Sequence, residues 1–486
     1  MSLFYGRNTS VSSALSKYSY IPVQDSFAAS AKNTQASALA QGEAFFLPLR
    51  LLGNITKSHP INTVQGFQRI RDFALQHQAG VILGNKSRVC GCGKRKIDKD
   101  LPRGVVYNEK TEKAHFNNVQ YCGSVWVCKP CAKKITEQRK QEIALAATEW
   151  TKGVCHLYFD YSEYHKGFVG PVRPKIEYIR GYVYMITLTN SHNASHSLEF
   201  QREGQKKAMK RFFEGRTSTA LMQRLGKRYH VTNYEVTLGQ NGWHPHHHIL
   251  VFSDKKLDDD FFQLRDDMAR HWINCCKKSG LPLPSMEHGL NLVYGKTAQQ
   301  VVSQYLCKWG VEHEMTKGHT KRGKEGGLTP FDLLSKSEYL DEVIYGRKPS
   351  QWFREFATAF KGARQLVWSR GLKDLFGLRD KSDEEILEET TEEAKQIDTV
   401  ADMVFSLLVK YKKLAEYLNA VECDMVHSTF EVKRVVDSVV NQEIVILEEM
   451  VLQSERRQRQ RRGFEEAEAE RVNDCNVQLD IFRVSL

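Results

Sequence analysis

Residues 229–252 read YHVTNYEVTLGQNGWHPHHHILVF, and this stretch decides the fold. β-Branched and aromatic residues lie on both sides of the central GQNG, which favours two strands joined by a tight turn. We place the centre of the turn between Gln240 and Asn241, so that residues equally far from this point face each other. The sequence therefore predicts a β-hairpin with a defined register, provided that no bulge shifts the pairing.

This register brings together residues that bind metal ions. Side chains alternate between the two faces of a strand, so His246 and His248 share one face and His247 takes the other. Glu235 pairs with His246 in the predicted hairpin, which places a carboxylate beside two imidazoles. These are the ligands of a two-histidine, one-carboxylate site for a divalent ion. His244 lies on the same face, as a fourth ligand or as a DNA contact. The alternative for the whole group is a metal-free histidine patch.

Five of the 11 cysteines are concentrated between residues 81 and 135. A Cys-x-x-Cys pair lets two thiolates bind one tetrahedral ion, and a second close pair completes the site. The expected ligands of a structural Zn²⁺ ion are Cys90, Cys92, Cys128 and Cys131, with Cys122 as the alternate. The competing interpretation is a buried thiol cluster or a redox pair. A thioredoxin-like redox pair needs a βαβ setting, which this region does not show.

Residues 297–309, TAQQVVSQYLCKW, are predicted to form a helix that begins with a capping box. Tyr305 and Lys308 are three residues apart and therefore project from one face of that helix. A lysine there stabilises a tyrosine phenolate or binds a phosphate. A tyrosine on a helix is more often a core residue, so a catalytic role for this pair is favoured only in combination with the predicted metal site.

The composition is that of a folded globular protein, with 41% hydrophobic and 26% charged residues among 486. Lys and Arg number 70 against 58 Asp and Glu, a net charge of +12 that favours a polyanionic partner such as nucleic acid. Residues 1–379 carry 56 basic and 33 acidic residues, whereas residues 380–486 carry 14 and 25. The N-terminus lacks an apolar signal-peptide core and no apolar run could span a membrane, so we expect a cytoplasmic protein without membrane contact.

Three motifs, taken in chain order, resemble those of the HUH endonucleases, and specifically of plasmid rolling-circle replication initiators with a single catalytic tyrosine. They are MITLTNS (185–191), GWHPHHHILVF (242–252) and VVSQYLCKW (301–309). Three further stretches resemble other sequence blocks of this branch: CGSVWVCKPCAKKI (122–135), GLTPFDLL (327–334) and KGARQLVWSRGLKDLFGL (361–378). One departure is that His247 replaces the usual hydrophobic residue between the two metal-binding histidines.

The resemblance implies an α+β fold, in which a five-stranded antiparallel sheet has helices on one side and holds the metal on its central strands. His246 and His248, with Glu235 as the third ligand, would then bind Mg²⁺ or Mn²⁺. Tyr305 would attack the scissile phosphate of single-stranded origin DNA, helped by Lys308, to give a 5′-phosphotyrosine and a free 3′-OH primer. Double-stranded origin DNA and a host helicase and polymerase are the further partners that the resemblance implies.

The resemblance leaves the end of the reaction cycle open. Some initiators of this kind carry a glutamate four residues before the tyrosine, where this chain has Val301. Glu312, Glu314 or a second subunit's Tyr305 are the candidates for this step.

The nearest alternative to a replication initiator is an HUH transposase, although such enzymes often carry two tyrosines on the helix. A conjugative relaxase usually has its tyrosine before the histidines. An origin-binding protein that no longer cleaves is the non-enzyme alternative.

The expected domain order is an N-terminal region of unknown role (1–80), a Cys-rich zinc-binding module (81–180), the HUH nicking domain (181–379) and an acidic, all-α tail (380–486). All 12 prolines lie at or before Pro349, and no glycine occurs between Gly377 and Gly463, which favours long helices in the tail. Apolar residues from Val400 to Met425 follow alternating steps of four and three. This spacing predicts either a coiled coil that forms a homo-oligomer or an amphipathic helix packed on its own domain.

Overall fold

The computed structural model describes residues 64–159, 174–258, 260–294, 327–339, 341–392 and 394–484. The chain forms two compact units. Of the described residues, the first unit contains 71–92 and 121–390, and the second contains 64–70, 93–120 and 391–484. These units differ from the four predicted segments, because residues 93–120 fold with the acidic tail. None of the described helices is long and apolar enough to cross a membrane.

The chain has the expected α+β class, with antiparallel sheets and flanking helices. In chain order, the strands are β1 (Arg103–Asn108), β2 (Lys113–Phe116), β3 (Val154–Phe159), β4 (Pro174–Ile179), β5 (Tyr182–Thr189), β6 (Lys227–Gly239), β7 (Gly242–Ser253), β8 (Leu290–Tyr294), β9 (Leu366–Trp368) and β10 (Lys395–Val400). The helices are α1 (Val64–Leu83), α2 (Arg88–Gly91), α3 (Lys129–Lys152), α4 (Leu198–Phe213), α5 (Arg216–Leu225), α6 (Phe261–Lys278), α7 (Pro330–Tyr339), α8 (Pro349–Ala359), α9 (Leu372–Leu375), α10 (Asp383–Glu392), α11 (Asp402–Lys410), α12 (Leu414–His427) and α13 (Glu431–Val484).

The first unit contains the five-stranded antiparallel sheet that the motif resemblance implied, with strand order β8-β5-β7-β6-β9. Strands β6 and β7 form the predicted hairpin, in which Gly239 pairs with Gly242 across a two-residue turn. Gly242 has a φ of +87°, in the left-handed region that glycine adopts most easily. The irregularity in this pairing lies between Lys227 and Tyr229, far from the turn, so the register around the histidines is undisturbed.

Helices cover both faces of this sheet, whereas the resemblance implied helices on one side. Residues 249–252, ILVF, are buried and apolar at every position, so both faces of β7 require cover. On one face, Leu250 belongs to a hydrophobic cluster with Trp150 of α3. On the other, Val251 belongs to a cluster with Trp272 of α6 and with residues of α4 and α5. Helix α3 therefore lies on the same face as the even-numbered histidines of β7.

The second unit combines the three-stranded sheet β10-β1-β2 with helices α11, α12 and α13. The tail is mostly helical, as expected, but β10 is a strand because β1 supplies its hydrogen-bonding partner. The stretch from Val400 to Met425 is not one helix. It is divided between the end of β10, α11 and α12, and Lys412 between the two helices has a φ of +59°. Of the residues in this pattern, Leu414 and Leu418 are buried within the unit, and the break at Lys412 excludes one continuous coiled-coil helix over this stretch. A homo-oligomer formed through the tail stays a prediction.

Candidate functional site

Glu235, His246 and His248 lie together on the hairpin strands β6 and β7. The carboxylate Oε2 of Glu235 is 3.0 Å from Nε2 of His246 and 2.8 Å from Nε2 of His248. One ligand atom from each of the three residues lies within 4.8 Å of the others. Glu235 pairs directly with His246, so the predicted register is confirmed.

His246 is held between two hydrogen-bond acceptors. Its Nδ1 lies 3.2 Å from the carbonyl oxygen of His244, and its Nε2 faces the Glu235 carboxylate. A neutral imidazole carries one N–H and can donate to only one of these two groups. A cation at Nε2, either a proton or a metal ion, resolves this conflict. Nδ1–H then donates to the carbonyl oxygen, which is the usual arrangement of a metal-binding histidine.

Thr187 on the neighbouring strand β5 supports the second histidine. It pairs with His248, and its Oγ1 lies 3.0 Å from Nδ1 of that ring. When Nδ1–H donates to this hydroxyl, the Nε2 lone pair is directed towards Glu235. The MITLTNS strand therefore supplies a residue that orients a candidate ligand. The sequence did not reveal this role, because the pairing of β5 with β7 joins residues that are distant along the chain.

The electrostatics of the group favour an ionised carboxylate. Burial by itself would raise the pKa of Glu235, but hydrogen bonds from His246 and His248, donated when their Nε2 atoms carry protons, outweigh burial and hold that pKa well below its usual range. A metal ion bound at the two Nε2 lone pairs would take the place of these protons. Asn233 lies next to the group, paired with His248 and buried. Among the residues that the structure describes, neither the nitrogen nor the oxygen of its side-chain amide has a hydrogen-bond partner. One carboxylate and two oriented imidazoles, with a neighbouring side-chain amide, fit a divalent cation.

The other two histidines of the motif have different surroundings. His247 lies on the opposite face, as predicted, with its ring centroid 4.4 Å from that of Tyr234. Burial lowers the pKa of His247 to about 3, so this ring is neutral. His244 stacks on His192 with ring centroids 4.7 Å apart, and burial lowers the pKa of His244 to about 4. The three-residue group does not include His244, so its role as a ligand or DNA contact stays a prediction.

A second candidate metal centre is formed by four buried thiols, those of Cys92, Cys122, Cys128 and Cys131. The Sγ atom of Cys92 lies 3.6 Å from that of Cys128 and 3.5 Å from that of Cys131. The Sγ atoms of Cys122 and Cys131 are 3.8 Å apart. In a tetrahedral zinc site with Zn–S bonds of about 2.3 Å, the sulfur atoms are about 3.8 Å apart. The four thiols therefore fit a tetrahedral ion.

The structure corrects the expected membership of this group. Cys90 is not part of it, and its thiol donates instead to the carbonyl oxygen of Gly84 at 3.2 Å. The reason is local, because Arg88–Gly91 forms the helical turn α2. Residues two apart on such a turn point in directions about 200° apart, so Cys90 and Cys92 cannot present their thiols to one ion. Cys122, the predicted alternate, takes the fourth position.

N–H groups support the sulfur atoms of this cluster. The side-chain amide of Gln76 donates to Cys128 Sγ at 3.3 Å, and the backbone N–H of Cys122 donates to Cys92 Sγ at 3.4 Å. The hydrogen bond from the Cys122 thiol, together with those from Cys128 and Cys131, lowers the pKa of Cys92, whereas burial raises the pKa of Cys128. N–H donors stabilise sulfur in the thiolate form that binds metal, so the contacts from Gln76 and from the Cys122 backbone suit a structural zinc site.

The tyrosine motif lies outside the described residues. Residues 295–326 contain Tyr305 and Lys308, together with Val301 and the candidate termination residues Glu312 and Glu314. Their roles therefore stay predictions. The downstream blocks are described: Leu328 forms an isolated bridge with Leu238 of β6, and β9 is an edge strand of the five-stranded sheet.

The chain has a distant similarity to a known protein. The chain is 24% identical over 295 residues to Protein rep of Streptomyces lividans. The aligned region covers 53% of this chain and 64% of that protein, which is less than two thirds of its length. No family profile and no solved structure matches the chain. The similarity supports a distant relationship to Rep proteins, in agreement with the resemblance of the motifs.

Proposed function

We propose that this chain is a plasmid rolling-circle replication initiator that nicks single-stranded origin DNA by a metal-dependent tyrosine transesterification. The observation that carries the proposal is the group of Glu235, His246 and His248, whose ligand atoms lie within 4.8 Å of one another on adjacent strands. The order of the three motifs and the similarity to Protein rep of Streptomyces lividans support it.

Glu235, His246 and His248 would hold one Mg²⁺ or Mn²⁺ ion. When bound, such an ion draws electron density from the scissile phosphate and fixes its orientation. The surrounding residues keep the site in register, since Thr187 Oγ1 orients one imidazole and a backbone carbonyl oxygen orients the other. The amide of Asn233, which has no hydrogen-bond partner within the described part of the chain, would donate to a phosphate oxygen or to a water molecule beside the ligands.

Tyr305 would supply the nucleophile. Its phenolate oxygen forms a bond to the scissile phosphorus, and the bond from phosphorus to the 3′ oxygen breaks. The leaving oxygen takes a proton to become the 3′-OH primer, and the 5′ end of the DNA stays on Tyr305 as a phosphotyrosine. Lys308, three residues further along the predicted helix, favours the ionised phenol through its positive charge.

Basic side chains in the first unit would bind the phosphate backbone. The solvent-facing side of α4 carries four exposed cations, Lys206, Lys207, Lys210 and Arg211. Contacts between such side chains and phosphates position DNA without reading its sequence, and they weaken as salt rises. The four-cysteine site would hold a structural Zn²⁺ ion at the beginning of α3, because Cys128 is the N-cap residue of that helix and Cys131 lies in its first turn.

An adduct assay tests this proposal. Single-stranded fragments that tile the replicon encoding the chain are labelled at the 3′ end and incubated with the full-length protein and Mn²⁺. We expect a covalent protein–DNA adduct that survives denaturation, requires the metal and maps to Tyr305. Tyr305→Phe should abolish the adduct, and His246→Ala should reduce it at least about 100-fold through loss of the metal.

A matched control is Tyr345→Phe, which alters an exposed tyrosine outside the metal group and should leave the adduct unchanged. Wild-type protein that forms no adduct, or Tyr305→Phe that forms as much as wild type, would refute the mechanism. DNA binding without any adduct would support the origin-binding protein instead.

A further inference from the structure

The second half of α13 is a helix with an exposed apolar stripe. Helix α13 has 54 residues, and its first turns pack against α11 and α12, where Val439 is fully buried. Every described side chain between residues 447 and 471 is exposed. Leu447 and Val451 expose 51% and 58% of their surfaces. Helices in proteins gain most of their stability when an apolar face packs against another surface, so this exposed stripe indicates a partner.

The sequence of this segment has a heptad pattern that the described packing does not use. Steps of three and four residues connect Ile444, Leu447, Val451, Ser454, Gln458, Arg461, Glu465, Glu468, Val472, Cys475, Leu479 and Phe482. The positions at both ends of this series are apolar, and the five central positions are polar or charged. This is the spacing of a coiled-coil seam with a polar centre.

The charges at the centre decide the direction of pairing. In a parallel pair, Arg461 would face Arg461 of the partner subunit, and Glu465 would face its own copy. Like charges within a seam oppose association. In an antiparallel pair centred on Gly463, residues equally far before and after this glycine face each other. Arg461 then faces Glu465 of the partner subunit, and the reciprocal pair forms as well.

Antiparallel pairing centred on Gly463 also places apolar positions near the two ends of the segment opposite each other. Ile444 lies nineteen residues before Gly463 and Phe482 lies nineteen after it, so these two positions face each other in the antiparallel pair. By the same count Leu447 faces Leu479 of the partner subunit, and Val451 faces Cys475 of the partner subunit. Three kinds of layer are therefore apolar on both sides, and Arg461 meets Glu465 of the partner subunit at the centre; between them, Ser454 faces Val472 of the partner subunit and Gln458 faces Glu468 of the partner subunit.

We propose that residues 444–482 of α13 bind the same segment of a second copy of the chain, antiparallel and centred on Gly463. The occupant is a second copy because the segment is complementary to itself in both charge and apolar pattern. This surface belongs to the second unit and does not depend on the nicking chemistry proposed for the first. The expected assembly is a dimer with one such pairing.

Cysteine crosslinking in the full-length protein tests the direction of pairing. Val451→Cys places a thiol opposite the native Cys475 of the partner subunit. Mild oxidation should then link position 451 of one copy to Cys475 of the other, as shown by peptide mapping of the dimer band. Glu449→Cys, at a neighbouring position on the outward side of the helix, is the matched control and should give no such link. Links between two copies of Cys475 would indicate parallel pairing and overturn the proposal.

Charge exchange tests the central layers. Arg461→Glu places like charges opposite each other in both central pairs, and we expect the dimer dissociation constant to rise at least about tenfold. Adding Glu465→Arg to the same chain restores both pairs and should restore the dimer. Light scattering measures the mass of each variant, and circular dichroism verifies that the helix content is unchanged. A monomer at all concentrations for wild type, or a 451–475 link within one chain, would overturn the proposal.

Discussion

The membership of the cysteine cluster gives the sharpest prediction, because the sequence and the structure assign the fourth ligand differently. We expect Cys122→Ser to release zinc and Cys90→Ser to retain it. The Sγ atom of Cys122 lies 3.8 Å from that of Cys131, within the group of four thiols. The Cys90 thiol donates to the carbonyl oxygen of Gly84, and a serine hydroxyl can donate to the same acceptor.

The magnitude follows from the number of ligands. A structural zinc ion bound by four such groups contributes roughly 10–16 kcal/mol of apparent binding free energy, or about 2.5–4 kcal/mol for each ligand. Loss of the Cys122 thiolate should therefore weaken zinc binding by about 100- to 1000-fold. Because metal binding is coupled to folding, the variant should also unfold at a lower temperature. Cys90→Ser should remain within about threefold of wild type, since the four sulfur ligands are unchanged.

The measurement is zinc content by elemental analysis of the purified proteins, followed by competition with a chelator of known affinity. Wild type and Cys90→Ser should retain about one zinc per chain, and Cys122→Ser should lose it at much lower chelator concentrations. Equal loss from the two serine variants would refute the assignment. Full retention by Cys122→Ser, or wild type without zinc, would also contradict it.

Three further predictions concern the first unit. Thr187→Val removes the hydroxyl beside His248 Nδ1 and should weaken Mn²⁺ binding about tenfold by calorimetry. Burial lowers the pKa of His230 from 6.5 to about 3 in the folded protein, so its neutral form is favoured there and stability is lost as the pH falls below 6.5. Between pH 7 and pH 5, the free energy of unfolding of His230→Phe should therefore fall by about 2 kcal/mol less than that of wild type. Ser197→Ala removes the N-cap acceptor of the Phe200 N–H and should cost about 1 kcal/mol of stability in urea unfolding.

Each of these predictions has a matched control. Thr189→Val lies on the same strand, but its hydroxyl donates to the carbonyl oxygen of His288, so Mn²⁺ affinity should be unchanged. His288→Phe alters an exposed ring and should keep the wild-type pH dependence. Ser197→Asn retains a capping acceptor and should stay close to wild type. Equal effects in a variant and its control would contradict the corresponding reasoning.

The sequence predicted the hairpin and the group of Glu235, His246 and His248, because both depend on local rules. Alternation along a strand has a period of two, and a two-residue turn fixes which residues pair. Once the turn is placed, the positions of these three side chains follow from counting. The contact of Thr187 with His248 could not be predicted by counting residues, because β5 and β7 become neighbours only through the order of strands in the folded sheet.

The cysteines and the tail show the limit of spacing rules. Cys90 and Cys92 share one direction only in an extended chain, and the helical turn α2 separates them by about 200°. The steps of four and three after Val400 describe an apolar helix face equally well whether that face contacts another subunit or its own core. Lys412, with its positive φ, ends the helix and turns the chain so that the face is buried locally.

What the sequence by itself determined is the chemistry available: a carboxylate beside two imidazoles, several thiols at metal-binding spacing and a basic first part of the chain. The tertiary structure decided which thiols meet and which strand supports the histidines. It also decided that residues 93–120 fold with the tail. The physical reason is that periodicity acts over a few residues, whereas these contacts depend on how distant segments minimise exposed apolar surface and satisfy hydrogen bonds together.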